Sequence, residues 1–193
     1  KYRRAAGRSH ANYGFYMGAS NDNLAAVRAI DPRATPGLKV FMGASTGNML
    51  VDDPATLDAI FRDTPVPIIT PYAAAPSGLP LVQFALNAAL ELVHEGRLTT
   101  AQVVQKFAHA PAQLFDVAGR GFLREGYAAD LVLVDDTPFT VQRGDVLSKC
   151  AWSPFEGTTF HTRIAATWVN GALAWDGARL SGPPAGQRLR FDR

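Results

Sequence analysis

The sequence predicts an α/β protein that combines a parallel sheet with helices and a small β-rich module. Three observations support this prediction. Short apolar runs alternate with helical patterns over residues 13–69, two helical patterns follow one another over 81–111, and a hairpin signal lies at Asn170-Gly171. We therefore expect a β-α-β-α-β segment first, helices next and antiparallel strands last.

The first segment contains three predicted strands and two predicted helices. The strands are expected at 13–18, 38–42 and 66–69. Asn21 can cap a helix over 22–30, and Asp53 with Pro54 can open a helix that continues to Phe61. Strands that alternate with helices in this way are typical of a parallel sheet.

Two helices are predicted after the first segment. One covers residues 81–95 and ends at Gly96, because glycine commonly follows the last turn of a helix. The other begins with a capping box formed by Thr99 and Gln102 and is interrupted at Pro111.

A small β module is predicted to follow these helices. Its strands are expected at 131–134 and at 164–169, and the second strand turns back at Asn170-Gly171 with type I′ geometry. We place a boundary near Ala118, which gives one domain over residues 1–118 and a second over 119–193. The tail, 182–193, is expected to be an extended arm that packs on a neighbour or stays loose.

Lys39 lies in an otherwise apolar predicted strand that runs into a glycine-rich loop. Alternation places Lys39 and Phe41 on one face, opposite Leu38 and Val40. If both faces are covered, the lysine needs a partner or loses its proton, and a neutral amine can form a Schiff base or a carbamate that bridges two metal ions. On an edge strand, the ammonium instead reaches water. The strand alone leaves both readings open.

Composition and charge are typical of a soluble globular protein. The net charge is +2 with no basic tract, so nucleic acid is not an expected partner. No apolar run reaches the roughly 18 residues that a membrane span needs, and the first residues have no apolar export signal. A single cysteine, Cys150, excludes an internal disulfide and fits a reducing compartment. We therefore expect a cytoplasmic protein.

The histidines and acidic pairs offer no local catalytic motif. The four histidines are His10, His94, His109 and His161. No two lie within five positions, so a metal site would have to gather distant residues, and we expect none of them to be a ligand. Asp52-Asp53 is predicted to cap a helix, and Asp135-Asp136 and Asp130 are predicted to have turn or strand-end roles. We therefore assign no catalytic residue on this chain.

Four blocks of the sequence resemble the dihydroorotases, which are cyclic amidohydrolases of the amidohydrolase superfamily. The blocks are GLKVFMGASTGNMLVD (37–52), APSGLPLVQFAL (75–86), FAHAPAQLFDVAGRGFLREGYAADLVLVD (107–135) and SKCAWSPFEG (148–157). They occur in the family's order, and the last two are the most specific.

The resemblance implies a fold and a chemistry. The fold is a metal-dependent hydrolase barrel of the (β/α)₈ TIM type, only partly represented here, with a small β-sandwich module. The reaction interconverts dihydroorotate and N-carbamoyl-L-aspartate in pyrimidine biosynthesis, at two Zn²⁺ ions bridged by carboxylated Lys39. The resemblance further implies that backbone groups of Ala75, Ser77 and Gly78 contact the cyclic amide substrate, and that the protein is a homo-oligomer.

The sequence also departs from the family. The family's His-x-His pair, its further histidine ligands and its aspartate base have no counterparts, and the segment that should hold the later ones is replaced by the passage from Thr70 to Pro71. Either the sequence belongs to a longer chain with a segment missing near Thr70, or the product is truly shortened. Alternative functions are a catalytically silent scaffold subunit and a hydantoinase, dihydropyrimidinase or allantoinase.

Overall fold

A computed structural model describes residues 1–42, 48–70 and 80–193 of the chain. The chain forms two compact units that interleave along the sequence. The first unit draws on the described residues of 1–76, 114–118 and 186–193, and the second on those of 77–113 and 119–185. Residues 80–113 therefore pack with the β-rich segment that follows them, and the domain limits 1–118 and 119–193 stay a prediction for the complete protein.

The first unit contains the predicted parallel sheet. Its strands are β1 (Met17–Gly18), β2 (Leu38–Lys39) and β3 (Ile68–Ile69), with β2 in the centre. Leu38 pairs with Met17 on one side and with Ile68 on the other. The prediction of a parallel sheet is confirmed, but each strand is shorter than expected.

Three helices accompany this sheet: α1 (Tyr2–Ala5), α2 (Leu24–Arg28) and α3 (Pro54–Asp63). The predicted start of α3 is confirmed, because the Asp53 carboxylate accepts a hydrogen bond from the Thr56 backbone N–H at 2.7 Å. The prediction that Asn21 caps α2 is wrong. Asn23 occupies that position, and the Asn21 side chain instead donates to Asp52 at 2.8 Å.

The core of the first unit lies between the sheet and its helices. Leu38 and Val40 are fully buried, as the strand alternation predicts, while Lys39 is only partly buried. The other buried members of this cluster are Ala19, Val27, Ile30, Val51, Ile60 and Val66. Burial of these apolar side chains from α2, α3 and the strands is the main term that holds this unit together.

The C-terminal arm packs on the chain itself, which corrects the expectation of an arm on a neighbour or in solution. Arg188 forms a parallel bridge with Tyr13, and Phe191 is buried. The guanidinium of Arg193 donates to the carbonyl oxygens of Pro36 and Phe115 at 3.2 and 2.9 Å. The buried ring of Phe191 and the hydrogen bonds of Arg193 thus hold the arm, which has little other apolar content.

The helices of the second unit begin with a 3₁₀ turn at Val82–Phe84, which leads into α4 (Ala85–His94). Gly96 then adopts a positive φ of 70°, as expected after a helix end. The helix α5 (Thr100–Val104) carries the predicted capping box between Thr99 and Gln102. Within the described ranges, no helix is both long and apolar enough to cross a membrane.

The predicted interruption at Pro111 takes a different form. The helix continues through a π-helical turn, Gln105–His109, into α6 (Ala110–Leu114), so Pro111 lies inside a helical segment. Proline lacks an N–H and crowds the carbonyl oxygen four residues earlier, here that of Phe107. The π turn includes Phe107. Its wider hydrogen-bonding pattern accommodates the break that proline makes in the α-helical pattern.

The β module of the second unit contains five strands among the described residues: β4 (Leu131–Asp135), β5 (Phe139–Thr140), β6 (Thr159–Phe160), β7 (Arg163–Val169) and β8 (Ala172–Trp175). The order β4-β7-β8 is antiparallel throughout, and β5 pairs with β6. Asn170 and Gly171 have φ values of 51° and 80°, which confirms the predicted turn between β7 and β8.

A second apolar cluster joins the helices of this unit to its strands. Phe84, Val141 and Phe160 are buried together, and Phe139 and Phe155 pack against them. The Phe155 and Phe160 rings meet edge to face at 5.4 Å between centroids, a favoured geometry for aromatic pairs. This cluster fixes the start of α4 against the β5-β6 pair.

Candidate functional site

Lys39 lies at the C-terminal end of β2, the middle strand of the parallel sheet. Its neighbours in the sheet are Gly18 at the end of β1 and Ile69 at the end of β3. Its ammonium Nζ lies 4.8 Å from the centroid of the Phe41 ring, on the face of the strand that alternation predicts. Among the described residues, Lys39 forms no ion pair with a carboxylate.

The remaining ligands of a two-metal centre are not found beside Lys39. Within residues 1–42, 48–70 and 80–193, the only group of three or more histidine, cysteine, aspartate or glutamate side chains that could hold a metal is Glu91, His94 and His161. That group lies in the second unit, whereas Lys39 lies in the first. The described part of the chain therefore does not fit a binuclear site at Lys39, although the lysine stands at the end of the sheet where such sites are built.

The predicted substrate contacts lie outside the described residues. Ala75, Ser77 and Gly78 all fall within 71–79, and the glycine-rich loop after Lys39 falls within 43–47. Their role in substrate binding stays a prediction from the resemblance.

The second unit brings three metal-ligating side chains together. Glu91 and His94 project from the last turns of α4, and His161 lies in the short segment between β6 and β7. One ligand atom from each lies within 4.8 Å of the other two. The His94 and His161 rings are stacked, with centroids 3.5 Å apart and planes 14° from parallel. The sequence predicts that no histidine is a ligand and that any metal site gathers distant residues; the fold brings this pair together beside Glu91, so both histidines are candidate ligands.

Two side chains of α4 hold the segment that carries His161. Glu91 accepts from the His161 backbone N–H at 3.1 Å, and its other carboxylate oxygen lies 2.6 Å from Nδ1 of the His161 ring. One turn earlier, the buried Asn87 side chain donates to the carbonyl oxygen of Thr162 at 2.8 Å. The position of His161 is thus determined by polar contacts to α4 as well as by its own strands.

The protonation state of Glu91 follows from the same contacts. Burial raises the pKa of this carboxyl, but the hydrogen bonds from the His161 backbone and imidazole outweigh burial, and the pKa of Glu91 lies below its usual value. Glu91 is therefore ionised at neutral pH. An ionised carboxylate only accepts hydrogen bonds, so Nδ1 of His161 carries the shared proton.

An open cavity of about 970 Å³ lies beside this cluster. His94, His161 and Thr162 form part of its polar edge, and its apolar wall comes from α4, α5, the following π turn and β4. The apolar lining includes Leu86, Leu90, Val93, Val103, Phe107 and Val132. The hydroxyl of Thr162 is buried and has no hydrogen-bond partner among the described residues. A mostly apolar cavity with a few convergent polar groups is the usual form of a small-molecule site.

The sequence did contain a signal for this cluster. Glu91 and His94 are three residues apart on a predicted helix, so both lie on the same side of it. A Glu-x-x-His pair of this kind is a recognised source of metal ligands in helical proteins. The spacing of the histidines does not reveal the cluster, because His161 lies between β6 and β7, 70 residues beyond Glu91.

Three of the acidic residues, Asp53, Asp135 and Asp130, have the structural roles expected of them. Asp53 caps α3, and Asp135 accepts from the Thr137 backbone N–H in a turn. Asp130 accepts from the Asn170 backbone N–H at 2.8 Å and forms an ion pair with Arg120, which orients the β7-β8 hairpin.

Comparison with known proteins identifies relatives for most of the chain. A profile of the amidohydrolase family matches residues 57–174. A dihydroorotase of Halobacterium salinarum is 40% identical over 110 residues, which are 55% of this chain and 25% of that protein. An allantoinase of Bacillus velezensis is 36% identical over 109 residues, which are 56% of this chain and 24% of that protein.

Solved structures agree on the fold. The L-hydantoinase (dihydropyrimidinase) of Arthrobacter aurescens superposes with a TM-score of 0.78 and 15% identity, over 98% of this chain and 76% of that one. A D-hydantoinase superposes with a TM-score of 0.55 and 27% identity, over 62% of this chain and 27% of that one. The predicted fold class is thereby confirmed. The chain spans about a quarter of the length of the curated relatives that it matches.

Proposed function

Because the chain belongs to the amidohydrolase family, we propose that the complete protein to which this sequence contributes is a cyclic amidohydrolase that opens dihydroorotate to N-carbamoyl-L-aspartate, or closes it. The observation that carries the proposal is the half-buried Lys39 at the C-terminal end of the central strand of a parallel sheet. In barrel enzymes this end of the sheet is the catalytic end. Similarity to several dihydroorotases supports the choice of substrate.

Zinc and its bridge are part of this proposal. In the complete protein, a carboxylated Lys39 would help to hold two Zn²⁺ ions, which would supply an activated water and polarise the ring carbonyl. A carbamate forms only from the neutral amine, and cations held nearby would stabilise the negatively charged carbamate once it has formed. The histidine and aspartate ligands that complete such a centre would come from segments that the described residues do not supply.

The partners and setting of the complete protein are also proposals. A small cyclic amide is the substrate, pyrimidine biosynthesis is the pathway, and we place a homo-oligomer in the cytoplasm. We further propose, on the resemblance alone, that backbone groups of Ala75, Ser77 and Gly78 contact the substrate. The single cysteine fits a reducing compartment.

The experiment compares zinc content and ring opening in the complete protein and its Lys39→Ala variant. We expect turnover in the wild type, and in the variant the loss of turnover and of two Zn²⁺ per chain relative to the wild type. Lys106→Ala, which removes an exposed lysine from the π turn, is the matched control and should change neither quantity. A carbamate carbon signal after growth with ¹³C-bicarbonate would identify the modification directly. Two Zn²⁺ retained by Lys39→Ala would contradict the assignment.

A second candidate function is a catalytically silent scaffold subunit. It is favoured by one observation, which is that the described residues of the unit that contains Lys39 include no group of three metal-ligating side chains. A complete protein that is folded, free of zinc and inactive on dihydroorotate would support it. A third candidate function, suggested by the allantoinase and hydantoinase relatives, is the same ring-opening reaction on a different cyclic amide. The same assay with allantoin and hydantoin as substrates tests it.

A further inference from the structure

The cluster of Glu91, His94 and His161 combines one carboxylate with two imidazoles. Its three ligand atoms lie within 4.8 Å of one another, and the closest pair, the Glu91 oxygen and Nδ1 of His161, is 2.6 Å apart. Around a tetrahedral Zn²⁺ ion, neighbouring ligand atoms are about 3.3 Å apart, given bonds of about 2.0–2.1 Å. The Glu91–His161 separation is shorter than that value, and the other two separations are at most 4.8 Å, so the three ligand atoms are close enough to reach one ion after the side chains rotate.

We propose that Glu91, His94 and His161 bind one divalent transition-metal ion of the Zn²⁺ class. Imidazole nitrogen and carboxylate oxygen suit Zn²⁺, Ni²⁺ and Cu²⁺, whereas Mg²⁺ prefers oxygen ligands in an octahedral arrangement. This site does not depend on Lys39 or on the proposed hydrolase activity, because its three ligands belong to the second unit.

Most of the site is already in place. One oxygen of Glu91 accepts a hydrogen bond from the His161 backbone N–H, so the carboxylate is oriented before a metal arrives. The buried Asn87 amide holds the neighbouring carbonyl of Thr162. Contacts of this kind behind the ligands restrict their motion and raise metal affinity.

Two changes accompany binding. The Glu91 oxygen and Nδ1 of His161 move apart, because two atoms that bind one Zn²⁺ ion lie farther apart than the observed 2.6 Å. The His94 ring turns out of its stack on His161, because the in-plane lone pairs of two nearly parallel rings cannot both point at one ion. His94 is exposed at the end of α4, so its side chain is free to make this rotation.

The ion would have an open coordination position. Three protein ligands leave a fourth place in a tetrahedral site for water. His94 and His161 both line the edge of the cavity, and the buried Thr162 hydroxyl beside them lacks a partner among the described residues. A water on the ion supplies a group with which that hydroxyl can form a hydrogen bond.

Titration calorimetry on the 193-residue chain without a histidine tag tests the proposal. We expect one Zn²⁺ per chain, no comparable binding of Mg²⁺, and a loss of affinity of about tenfold or more in each of Glu91→Gln, His94→Ala and His161→Ala. His109→Ala is the matched control, since His109 is a helical histidine of the same unit that stacks on Phe122 and contacts Gln105.

Histidine ring signals in NMR spectra give a test that does not depend on the folding of any variant. Zn²⁺ should shift the ring protons of His94 and His161 and leave those of His109 unchanged. Absence of Zn²⁺ binding by the folded wild-type chain, or an equal effect of His109→Ala, would overturn the proposal. Binding that is lost in Lys39→Ala but kept in His94→Ala would place the metal at Lys39 instead, and would overturn it as well.

Discussion

Gly171 is a residue whose backbone conformation determines which side chains it tolerates. Its φ is 80°, and an added Cβ would meet only Ala129, at 4.0 Å. The constraint at this position is therefore the left-handed backbone conformation and not the space around the residue. Gly171→Val should lower the free energy of unfolding by about 1 kcal/mol or more, because a β-branched residue is strained at positive φ. Chemical denaturation measures this loss.

Asparagine provides the control for that substitution. Asn tolerates the left-handed region better than other residues with a side chain, so Gly171→Asn should cost less than Gly171→Val. Equal losses in the two variants would show that the turn responds to side-chain size and not to backbone conformation.

Asp53 links one side chain to the pH dependence of stability. Hydrogen bonds from the Thr56 side chain and backbone N–H hold the pKa of Asp53 below its ordinary value. The ionised carboxylate therefore stabilises the fold above its unfolded pKa of about 3.9, and this contribution is lost as pH falls through the lower folded pKa. Asp53→Ala should thus lower the unfolding midpoint at neutral pH, and the difference from the wild type should shrink below about pH 4.

Asp53→Asn separates capping from charge. Asn is as good an N-cap as Asp, so the unfolding midpoint of this variant should stay close to that of the wild type at neutral pH. Position 53 should then make no contribution to the loss of stability in acid. A gap between the wild type and Asp53→Ala that stays constant down to acid pH would contradict the assignment of this effect to the carboxylate.

At the scale of elements, the attachment of α4 to the strands rests on a buried amide. Asn87 is 2% exposed, and its side chain donates to the carbonyl oxygen of Thr162. Asn87→Leu keeps the approximate volume but leaves that carbonyl without its donor, which should cost about 1–3 kcal/mol of unfolding free energy. Thermal or chemical denaturation provides the measurement.

Gln83 offers a matched comparison for Asn87. Its side chain also ties the start of this helical segment to a strand connection, through the Asp145 carbonyl at 2.6 Å and the Leu147 N–H at 2.9 Å. These contacts are more exposed, so water can replace them, and Gln83→Leu should cost less than Asn87→Leu. A larger loss of unfolding free energy in Gln83→Leu than in Asn87→Leu would show that burial does not determine the strength of these contacts.

At the scale of the whole molecule, the 193 residues present only part of what a cyclic amidohydrolase needs. The chain spans about a quarter of the length of its curated relatives, and the one group of three metal-ligating side chains among the described residues does not belong to the unit that contains Lys39. We therefore expect a polypeptide of these 193 residues to open no dihydroorotate when zinc is added, because a single carbamate cannot hold two metal ions.

The complete gene product is the comparison for that experiment. Its intact mass, set against 20.7 kDa for this sequence, shows whether further segments are present. Assays at equal zinc should then give turnover by a longer product that supplies histidine and aspartate ligands. Turnover by the 193-residue polypeptide itself would overturn our interpretation of the segment around Thr70.

The sequence by itself determined the features that depend on near neighbours along the chain. The Asp53 cap, the capping box at Thr99 and the turn at Asn170-Gly171 all follow from contacts or dihedral preferences within a few residues. The parallel order of three strands followed from the alternation of short apolar runs with helical patterns, and the family followed from blocks of sequence.

Only the tertiary structure decided the contacts between distant segments. Glu91 meets His161 across 70 residues, and the C-terminal arm reaches the N-terminal residues at Asn12 and Gln187, which are 175 residues apart. Local periodicity says which face of a helix is polar, but not which strand segment that face will meet. That choice depends on how the apolar cores pack. Because the hydrophobic effect is not directional, many arrangements bury the same apolar side chains, and specific hydrogen bonds select one of them.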